Sequence, residues 1–392
     1  MKKNTGSHIK ISKKAESIPP SGIRVFFDLV LGMKDIVSLG VGEPDFVTPW
    51  NIREAAIYSL EEGMTSYTSN KGVLELRQAI SKHLVHRYGL EYDYDDEILV
   101  TVGVSEGVDL ALRAIIDNGD KVLIPQPSFV SYGPNVILCG GTPVYMKTTH
   151  ENGFKITGKD IDEYCDKKTK AIVLNYPNNP TGASYSKNEL KDIAKAVKKH
   201  DLTVLSDEVY CDLTYDFPHT AFPTLPDMRE RTVYLNGFSK AYAMTGWRIG
   251  YACGPKNIIH SMTKIHQYTM MCVPIMSQMG AIEALKHGER SVQEMKREYR
   301  RRREYIITAL NELGLTCHKP EGAFYALPSI KSTGMKSMEF AKGLLSEEKV
   351  AVVPGTAFGL EGCIRISYAS SLENLKEAIT RMERFLSKHG RR

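Results

Sequence analysis

Lys240 is the residue of this sequence whose context best suits covalent chemistry. It lies in the segment NGFSKAYAMTGWRIGY, just beyond the predicted strand 232–236. Ligands bind at strand ends in open α/β sheets, and a lysine desolvated there has a lowered pKa and an amine that can condense with an aldehyde. Arg248, later in the segment, could bind a phosphate with its fork of N–H donors. Taken alone, such a lysine is more often a surface charge.

An acidic residue follows another predicted strand, 203–206, in the segment TVLSDEVY. Asp207, at the carboxyl end of that strand, could keep a pyridine nitrogen protonated, which makes the ring an electron sink. Tyr210 could donate a hydrogen bond to the 3-oxygen of the same ring. The alternative is that Asp207 only caps the next helix.

Two turns that follow predicted strands carry further polar groups. In LNYPNNPTG, Asn179 could donate its side-chain amide to the same ring oxygen, or the segment could be a plain proline turn. In TVGVSEGVDLAL, a glycine precedes a predicted helix that opens at Ser105 and Glu106. The free N–H groups and positive dipole end of such a helix could bind a phosphate, and Gly103 would let the backbone approach it. Glu106 could equally serve only the helix dipole.

Four more residues belong to this set of candidates. Phe129, in PQPSFVSY, could stack on the ring or be an ordinary core residue. Gly42, in SLGVGEPDF, and Tyr67, in TSYTSNKG, lie in loop-like segments. Arg365, in CIRISYA, is the most informative, because an arginine inside an apolar strand is costly unless it pairs with an anion. A substrate α-carboxylate would serve, and so would a buried salt bridge.

The composition argues against several other classes of protein. The net charge of +5, from 51 basic and 46 acidic residues, is too small and dispersed to indicate a nucleic-acid partner. No apolar run approaches the roughly 20 residues of a membrane span, and the start lacks the apolar core of a signal peptide, so we expect a cytoplasmic protein. The seven cysteines form no C-x-x-C pair and the histidines no H-E-x-x-H motif, so we expect no metal site. The basic run 300–303 is interpreted as a solvated helix face.

The elements that must position these residues alternate along the middle of the chain. The predicted strands are 98–104, 121–125, 143–147, 170–175, 203–206, 232–236 and 248–253, and helices such as 105–116 and 187–200 lie between them. This alternation predicts an α/β fold with a mostly parallel central sheet.

The remainder of the chain predicts a second, smaller unit. A mostly helical stretch runs from 256 to about 313, and short strands 323–328, 351–354 and 363–367 precede a closing helix at 372–386. We therefore expect a large domain at 50–285 and a smaller α+β domain formed by 1–49 and 286–392, with the N-terminal segment packed on the tail.

Together, in this order, the segments resemble the fold-type I pyridoxal 5′-phosphate (PLP) aminotransferases of class I/II, the family of the prokaryotic aspartate and aromatic aminotransferases. The similarity runs from SLGVGEPDF to RISYA and covers almost the whole chain. It implies that Lys240 holds PLP as a Schiff base and carries the proton between the substrate and the cofactor. It also implies the other cofactor contacts: Asp207 at the ring nitrogen, Tyr210 and Asn179 at the 3-oxygen, Phe129 stacked on the ring, and Ser105, Glu106, Ser239 and Arg248 at the phosphate.

The resemblance also implies the substrate contacts and the assembly. The substrate carboxylate would pair with Arg365, helped by the Gly42 backbone and by Asn179. The family is typically a homodimer with its active site at the subunit boundary, which would let Tyr67 reach the phosphate of the second subunit.

Two departures from the family pattern bear on the substrate. Related aspartate aminotransferases carry a lysine for the distal carboxylate where this chain has Ser105, so we expect an aromatic or broad-range L-amino acid as donor and a 2-oxo acid such as 2-oxoglutarate as acceptor. Gly237 replaces a serine of other branches.

The expected cycle is ping-pong through pyridoxamine phosphate. The alternatives are an aspartate or alanine aminotransferase and a carbon–sulfur β-lyase on the same fold. Side-chain selectivity would depend on the segment around Ile23 and Phe26.

Overall fold

A computed structural model describes residues 10–23 and 33–389 of the chain. The strands, numbered in chain order, are β1 (Val37–Ser38), β2 (Ile98–Thr101), β3 (Lys121–Gln126), β4 (Thr142–Lys147), β5 (Thr169–Asn175), β6 (Thr203–Asp207), β7 (Thr232–Gly237), β8 (Gly250–Cys253), β9 (Tyr325–Ala326), β10 (Val350–Ala351), β11 (Val353–Pro354) and β12 (Ile364–Ser367).

The helices are numbered in the same way within the described ranges. They are α1 (Lys13–Glu16), α2 (Trp50–Glu61), α3 (Leu74–Tyr88), α4 (Gly103–Ile115), α5 (Tyr132–Leu138), α6 (Gly158–Tyr164), α7 (Lys187–Lys199), α8 (Lys256–Thr269), α9 (Ile275–His287), α10 (Glu289–Glu312), α11 (Ser337–Glu348) and α12 (Leu372–His389). In this part of the chain, none of them is long and apolar enough to cross a membrane.

The main sheet has seven strands in the order β2-β8-β7-β6-β5-β3-β4. Strand β8 is antiparallel to both of its neighbours, and the other pairs are parallel. The carboxyl ends of β2, β5, β6 and β7 therefore lie along one edge of the sheet, and Gly250, the first residue of β8, pairs with Thr101 and Gly237 at the same edge. The predicted α/β class with a mostly parallel sheet is confirmed.

Apolar side chains cover both faces of this sheet. Along β5, Ile172 and Leu174 belong to one buried cluster, and Ala171 and Val173 belong to another. Successive side chains of a strand point to opposite faces, so the two clusters lie on opposite sides of the sheet. Such continuous apolar runs are typical of parallel strands buried between helices, which is why the strands were visible in the sequence.

Two of the predicted strands are shorter than expected at the site edge. The strand predicted at 98–104 ends at Thr101, because the next helix already begins at Gly103, whose φ is +70°. The strand predicted at 248–253 begins only at Gly250, because Arg248 adopts the left-handed conformation with φ of +52°. Both differences place backbone turns, rather than strand, beside the site.

The tail forms two small sheets. Strand β10 pairs in parallel with β1, so Val37 and Ser38 of the N-terminal segment pack on the tail. Lys14, earlier in the segment, instead donates to the Leu138 carbonyl of α5 at 3.3 Å. Strands β11, β12 and β9 form an antiparallel sheet, in which the predicted strand 323–328 is reduced to Tyr325–Ala326. One buried cluster joins this part to Tyr210 and Leu213 of the main-sheet region. The domain division at 49/50 and 285/286 stays a prediction.

The basic run on α10 is only partly a solvated face. Arg300 and Arg301 are exposed, as predicted, but Arg302 and Arg303 are buried. Arg302 Nη1 lies 2.8 and 2.9 Å from the two carboxylate oxygens of Asp45. Arg303 lies 2.6 and 2.9 Å from those of Asp216. The prediction was wrong for these two residues, because their partners are far away in the sequence.

Candidate active site

A cavity of about 510 Å³ opens at the carboxyl edge of the main sheet. Every predicted site residue except Glu106 and Tyr67 lines it. The predicted residues that line the cavity are Gly42, Ser105, Phe129, Asn179, Asp207, Tyr210, Ser239, Lys240, Arg248 and Arg365. Ile23 also lines it, whereas Phe26 lies outside the described residues.

Lys240 follows β7 and points its amine into the cavity. Its Nζ donates to the Gly42 carbonyl at 2.7 Å and lies 5.7 Å from the centre of the Tyr210 ring. Burial, and next the positive charge of Arg365, lower the pKa of Lys240 to about 8, against an opposing effect of Glu43. At pH 7 roughly a tenth of this amine is therefore neutral, and so nucleophilic, far more than for a lysine with its ordinary pKa.

Asp207 ends β6 and is buried beneath the cavity. Tyr132 Oη donates to its Oδ2 at 2.7 Å. Burial raises the pKa of Asp207 to about 6, and the hydrogen bond from Tyr132 opposes that rise. The capping alternative is wrong, because the next helical turn, Cys211–Leu213, has Tyr210 at its N-cap position. Asp207 Oδ1 accepts from the Val209 backbone N–H at 3.3 Å, and each carboxylate oxygen still has a lone pair for a ligand in the cavity.

Asn179 connects Asp207 to the substrate side of the cavity. Its backbone N–H donates to Asn175 Oδ1 at 3.0 Å, and Asn175 Nδ2 donates to the Asp207 carbonyl at 3.0 Å. Asn179 Oδ1 accepts from Arg365 Nη1 at 3.0 Å, and the Asn179–Pro180 peptide bond is cis. With its oxygen held by Arg365, the side-chain amide of Asn179 keeps its N–H donors for another partner.

Arg365 is a buried cation on β12, with 1% of its surface exposed. Its Nη atoms donate to Asn179 Oδ1 and, at 2.5 Å, to the Gly40 carbonyl, and its Nε has no partner among the described residues. No described carboxylate pairs with it, so the buried-salt-bridge alternative has no partner in that part of the chain. A buried charge without a counterion is costly, which favours an anionic ligand here.

The opposite end of the cavity suits a phosphate. The N-terminus of α4 faces Arg248: a Cβ added to Gly103 would lie 2.8 Å from Arg248 Nη2. Arg248 Nη1 is held by the Thr245 carbonyl at 2.9 Å, and the hydroxyl-bearing residues Ser105 and Ser239 line the same space. Free N–H groups, a positive dipole end and a guanidinium together form an anion site.

Comparison with known proteins agrees with this geometry. Residues 34–382 match the family "Aminotransferase class I and II". The chain belongs to this family.

Similar proteins cover nearly the whole of this aminotransferase. An aspartate aminotransferase of Pyrococcus abyssi is 47% identical over 382 residues, and the match covers 96% of this chain and 98% of the relative. An aromatic-amino-acid aminotransferase 2 of Thermococcus litoralis is 45% identical, with the same two coverages. The structure of an aspartate aminotransferase from Thermus thermophilus with maleate superimposes with a TM-score of 0.93 at 37% identity, covering 96% of this chain and 100% of that one.

Enzymes of this kind use PLP, and the cavity fits that group. It offers a neutralisable amine at Lys240, a buried carboxylate at Asp207 and an anion site at Arg248, which match the aldehyde, the ring nitrogen and the phosphate of PLP. The predictions of an aminotransferase and of its cofactor are confirmed. Among the described residues, no group of three histidines, cysteines or acids is placed to hold a metal ion.

Two predicted residues lie outside the cavity. The Glu106 carboxylate accepts from His266 Nδ1 at 2.7 Å and from the Val102 backbone N–H, so it braces the start of α4 from behind. The phosphate role of its backbone N–H stays a prediction. Tyr67 is 82% exposed and does not line the cavity of its own chain.

Several residues that line the cavity were not predicted from the sequence, among them three that hydrogen-bond to predicted residues: Tyr132, Asn175 and Tyr325. Tyr132 follows Phe129 in PQPSFVSY, and Asn175 is the last residue of β5, so both had a signal in their nearness to predicted residues. Tyr325 had none, because it lies in a short strand of the tail, far in sequence from the other cavity residues.

Proposed function

We propose that this aminotransferase transfers the amino group of an aromatic or broad-range L-amino acid to a 2-oxo acid such as 2-oxoglutarate, in a ping-pong cycle. The observation that carries the proposal is one cavity that holds the amine of Lys240, the carboxylate of Asp207 and the guanidinium of Arg365, which pairs with no carboxylate in the described part of the chain. When bound, PLP supplies an aldehyde that condenses with amines and a ring that stabilises negative charge.

In this proposal, each residue around the ring has one task. Lys240 would hold the aldehyde until the amino group of the substrate displaces it, and its freed amine, with a pKa of about 8, would then carry the proton from the substrate α-carbon to the cofactor. Asp207 holds a proton on the ring nitrogen. Tyr210 and Asn179 donate to the 3-oxygen, and Phe129 packs on the ring face.

The two ends of the cavity bind the two anions. The phosphate is bound by Ser105, Ser239 and Arg248 and by the N-terminal amides of α4, including that of Glu106. The substrate carboxylate is bound by Arg365, with Asn179 and the Gly42 backbone beside it. These two anchors orient the substrate α-carbon over Lys240.

The donor preference follows from the lining of the cavity. Ser105 carries no charge for a distal carboxylate, and apolar side chains such as Ile23, Val41 and Val108 face the cavity. These features favour a neutral side chain over that of aspartate. The names of the relatives do not separate the two cases, because one aspartate and one aromatic enzyme are almost equally similar.

We also propose a homodimer in which Tyr67 completes the site of the partner. The support is an exposed apolar surface on and after α2, which monomeric proteins rarely leave uncovered. Its members are Trp50, Ile57, Tyr58, Leu60, Met64 and Tyr67.

A half-reaction screen tests the proposed function. The PLP-loaded protein is mixed with aromatic, acidic and small aliphatic amino acids, and the loss of the visible cofactor band is followed for each. Aromatic donors should react fastest, glutamate should react, and Lys240→Ala should not turn over. A fast aspartate reaction would overturn the donor preference. Pyruvate and sulfide from cysteine, with no response to glutamate, would indicate the β-lyase.

A further inference from the structure

Tyr325 touches three groups of the site at once. Its Oη lies 2.8 Å from Tyr210 Oη and 3.2 Å from the Gly42 carbonyl oxygen. The Arg365 guanidinium lies 4.6 Å from the centre of its ring, and Tyr325 itself is fully buried. We propose that Tyr325 is a positioning residue: its hydroxyl directs the proton of Tyr210 to the cofactor, and its ring holds the Arg365 guanidinium in one orientation. This inference rests on the proposed function.

The number of protons sets the direction of these hydrogen bonds. Each phenol has one proton to donate. If Tyr210 donates to the 3-oxygen of the cofactor, its own oxygen can only accept, and Tyr325 must be the donor across the 2.8 Å contact. A chain from Tyr325 through Tyr210 to the 3-oxygen follows, and each bond of such a chain strengthens the next.

The two contacts of the Tyr325 hydroxyl differ in length. The distance to Tyr210 Oη is 2.8 Å, the usual length of an O–H···O hydrogen bond, whereas the distance to the Gly42 carbonyl oxygen is 3.2 Å, so the geometry favours donation to Tyr210. The Gly42 backbone packs closely against the Tyr325 hydroxyl, since a Cβ added to Gly42 would lie 2.9 Å from Tyr325 Oη. The hydroxyl therefore has little room to move on that side.

The ring of Tyr325 has a separate task. Arg365 is buried without a carboxylate partner among the described residues, and an aromatic face attracts such a cation. The Phe358 ring also faces the guanidinium, at 4.9 Å. The two rings thus hold Arg365 in one orientation before the substrate carboxylate arrives.

A spectroscopic titration separates the hydroxyl from the ring. A hydrogen bond to the 3-oxygen makes this oxygen a poorer partner for the proton on the Lys240 nitrogen, so it lowers the pH midpoint of the bound cofactor's visible band. The charged or titratable groups that face Tyr325 are Tyr210, Arg365, Lys240 and Glu43. They are the same in the parent and in Tyr325→Phe, so the difference between the two midpoints isolates the hydroxyl.

In Tyr325→Phe, the loss of one neutral hydrogen bond should change this equilibrium by roughly two- to tenfold. The midpoint should rise by about 0.3 to 1 pH unit, with little change in the KM for the amino acid. In a Tyr210→Phe background the same substitution should leave the midpoint unchanged. Tyr325→Leu should also raise the KM for the amino acid, by roughly two- to thirtyfold, because the Arg365 guanidinium loses the aromatic ring against which it packs.

The matched control is Tyr368→Phe. Tyr368 is buried, its hydroxyl donates to the Ala323 carbonyl at 3.1 Å, and it does not line the cavity. This variant should keep the parent midpoint and KM. A Tyr325→Phe midpoint equal to that of the parent, or an equal shift with and without the Tyr210 hydroxyl, would overturn the inference. If instead the parent and Tyr368→Phe fail to transaminate, it is the proposed function that fails.

Discussion

Replacing Tyr132 with phenylalanine should change how Asp207 titrates. The substitution removes the hydroxyl that donates to Asp207 Oδ2 at 2.7 Å. A hydrogen bond to a charged group is worth about 1.5–3 kcal/mol, and one pKa unit corresponds to about 1.36 kcal/mol. The bond favours the ionised carboxylate, so its loss should raise the pKa of Asp207 from about 6 by roughly one to two units.

The pH dependence of PLP affinity in the cofactor-free protein measures this change. At a pH below the pKa of Asp207 its carboxyl group is protonated and uncharged. It can then no longer pair, as an anion, with the protonated ring nitrogen of PLP. The break in affinity should therefore move from near pH 6 in the parent to higher pH in Tyr132→Phe. Reduced binding at neutral pH should follow, with nearly normal binding restored at alkaline pH.

Tyr176→Phe is the matched control for this prediction. Tyr176 is also buried and also donates to a buried carboxylate, Glu208 Oε1 at 3.2 Å, but neither residue lines the cavity. It should lower the melting temperature and leave the break in PLP affinity where it is. The reasoning is refuted if Tyr132→Phe keeps the parent profile, or if both variants move it equally.

Three further predictions concern the charged residues. The rate at which the cofactor-free protein captures PLP covalently should rise with pH through a midpoint near 8, because the neutral Lys240 amine is the nucleophile; a midpoint above 10 would contradict this. Arg365→Met should raise the KM for amino acids at least about thirtyfold while PLP still binds, since a buried charge pair is worth about 2–5 kcal/mol; steady-state kinetics and the visible spectrum check both parts. Arg303→Met should lower the free energy of unfolding in urea by about 1–3 kcal/mol, because it leaves the Pro320 carbonyl without its donor, whereas Asp216 is 35% exposed and keeps Arg300 at 3.6 Å; exposed Arg301→Met should leave the urea midpoint unchanged.

The residues at the strand ends could be predicted because their signal is local. Apolar runs identify β5, β6 and β7. Asp207 is the last residue of β6, and Asn179 and Lys240 follow β5 and β7 within a few positions. Parallel strands end at one edge of a sheet, so residues that follow different strands must come together. No long-range contact needs to be known for that step.

The interactions that tune those residues could not be predicted in this way. Tyr132 and Asp207 are 75 positions apart, and Tyr210 and Tyr325 are 115 apart. The backbone N–H of Glu106 was predicted to bind the phosphate, but the partner of its carboxylate, His266, is 160 positions away and was not predicted. Nothing in the neighbouring sequence of these residues shows which pairs will meet.

By itself the sequence determined the fold class and about half of the residues that line the cavity, because strand periodicity and the polar residues at strand ends are local properties. The family and the cofactor followed from the resemblance of its segments, in order, to the class I/II aminotransferases. Only the tertiary structure decided which hydroxyl reaches Asp207, which ring lies under Arg365 and which arginines of α10 are buried. The physical reason is that a buried side chain must find its partner in space, and packing between distant segments decides which partner that is.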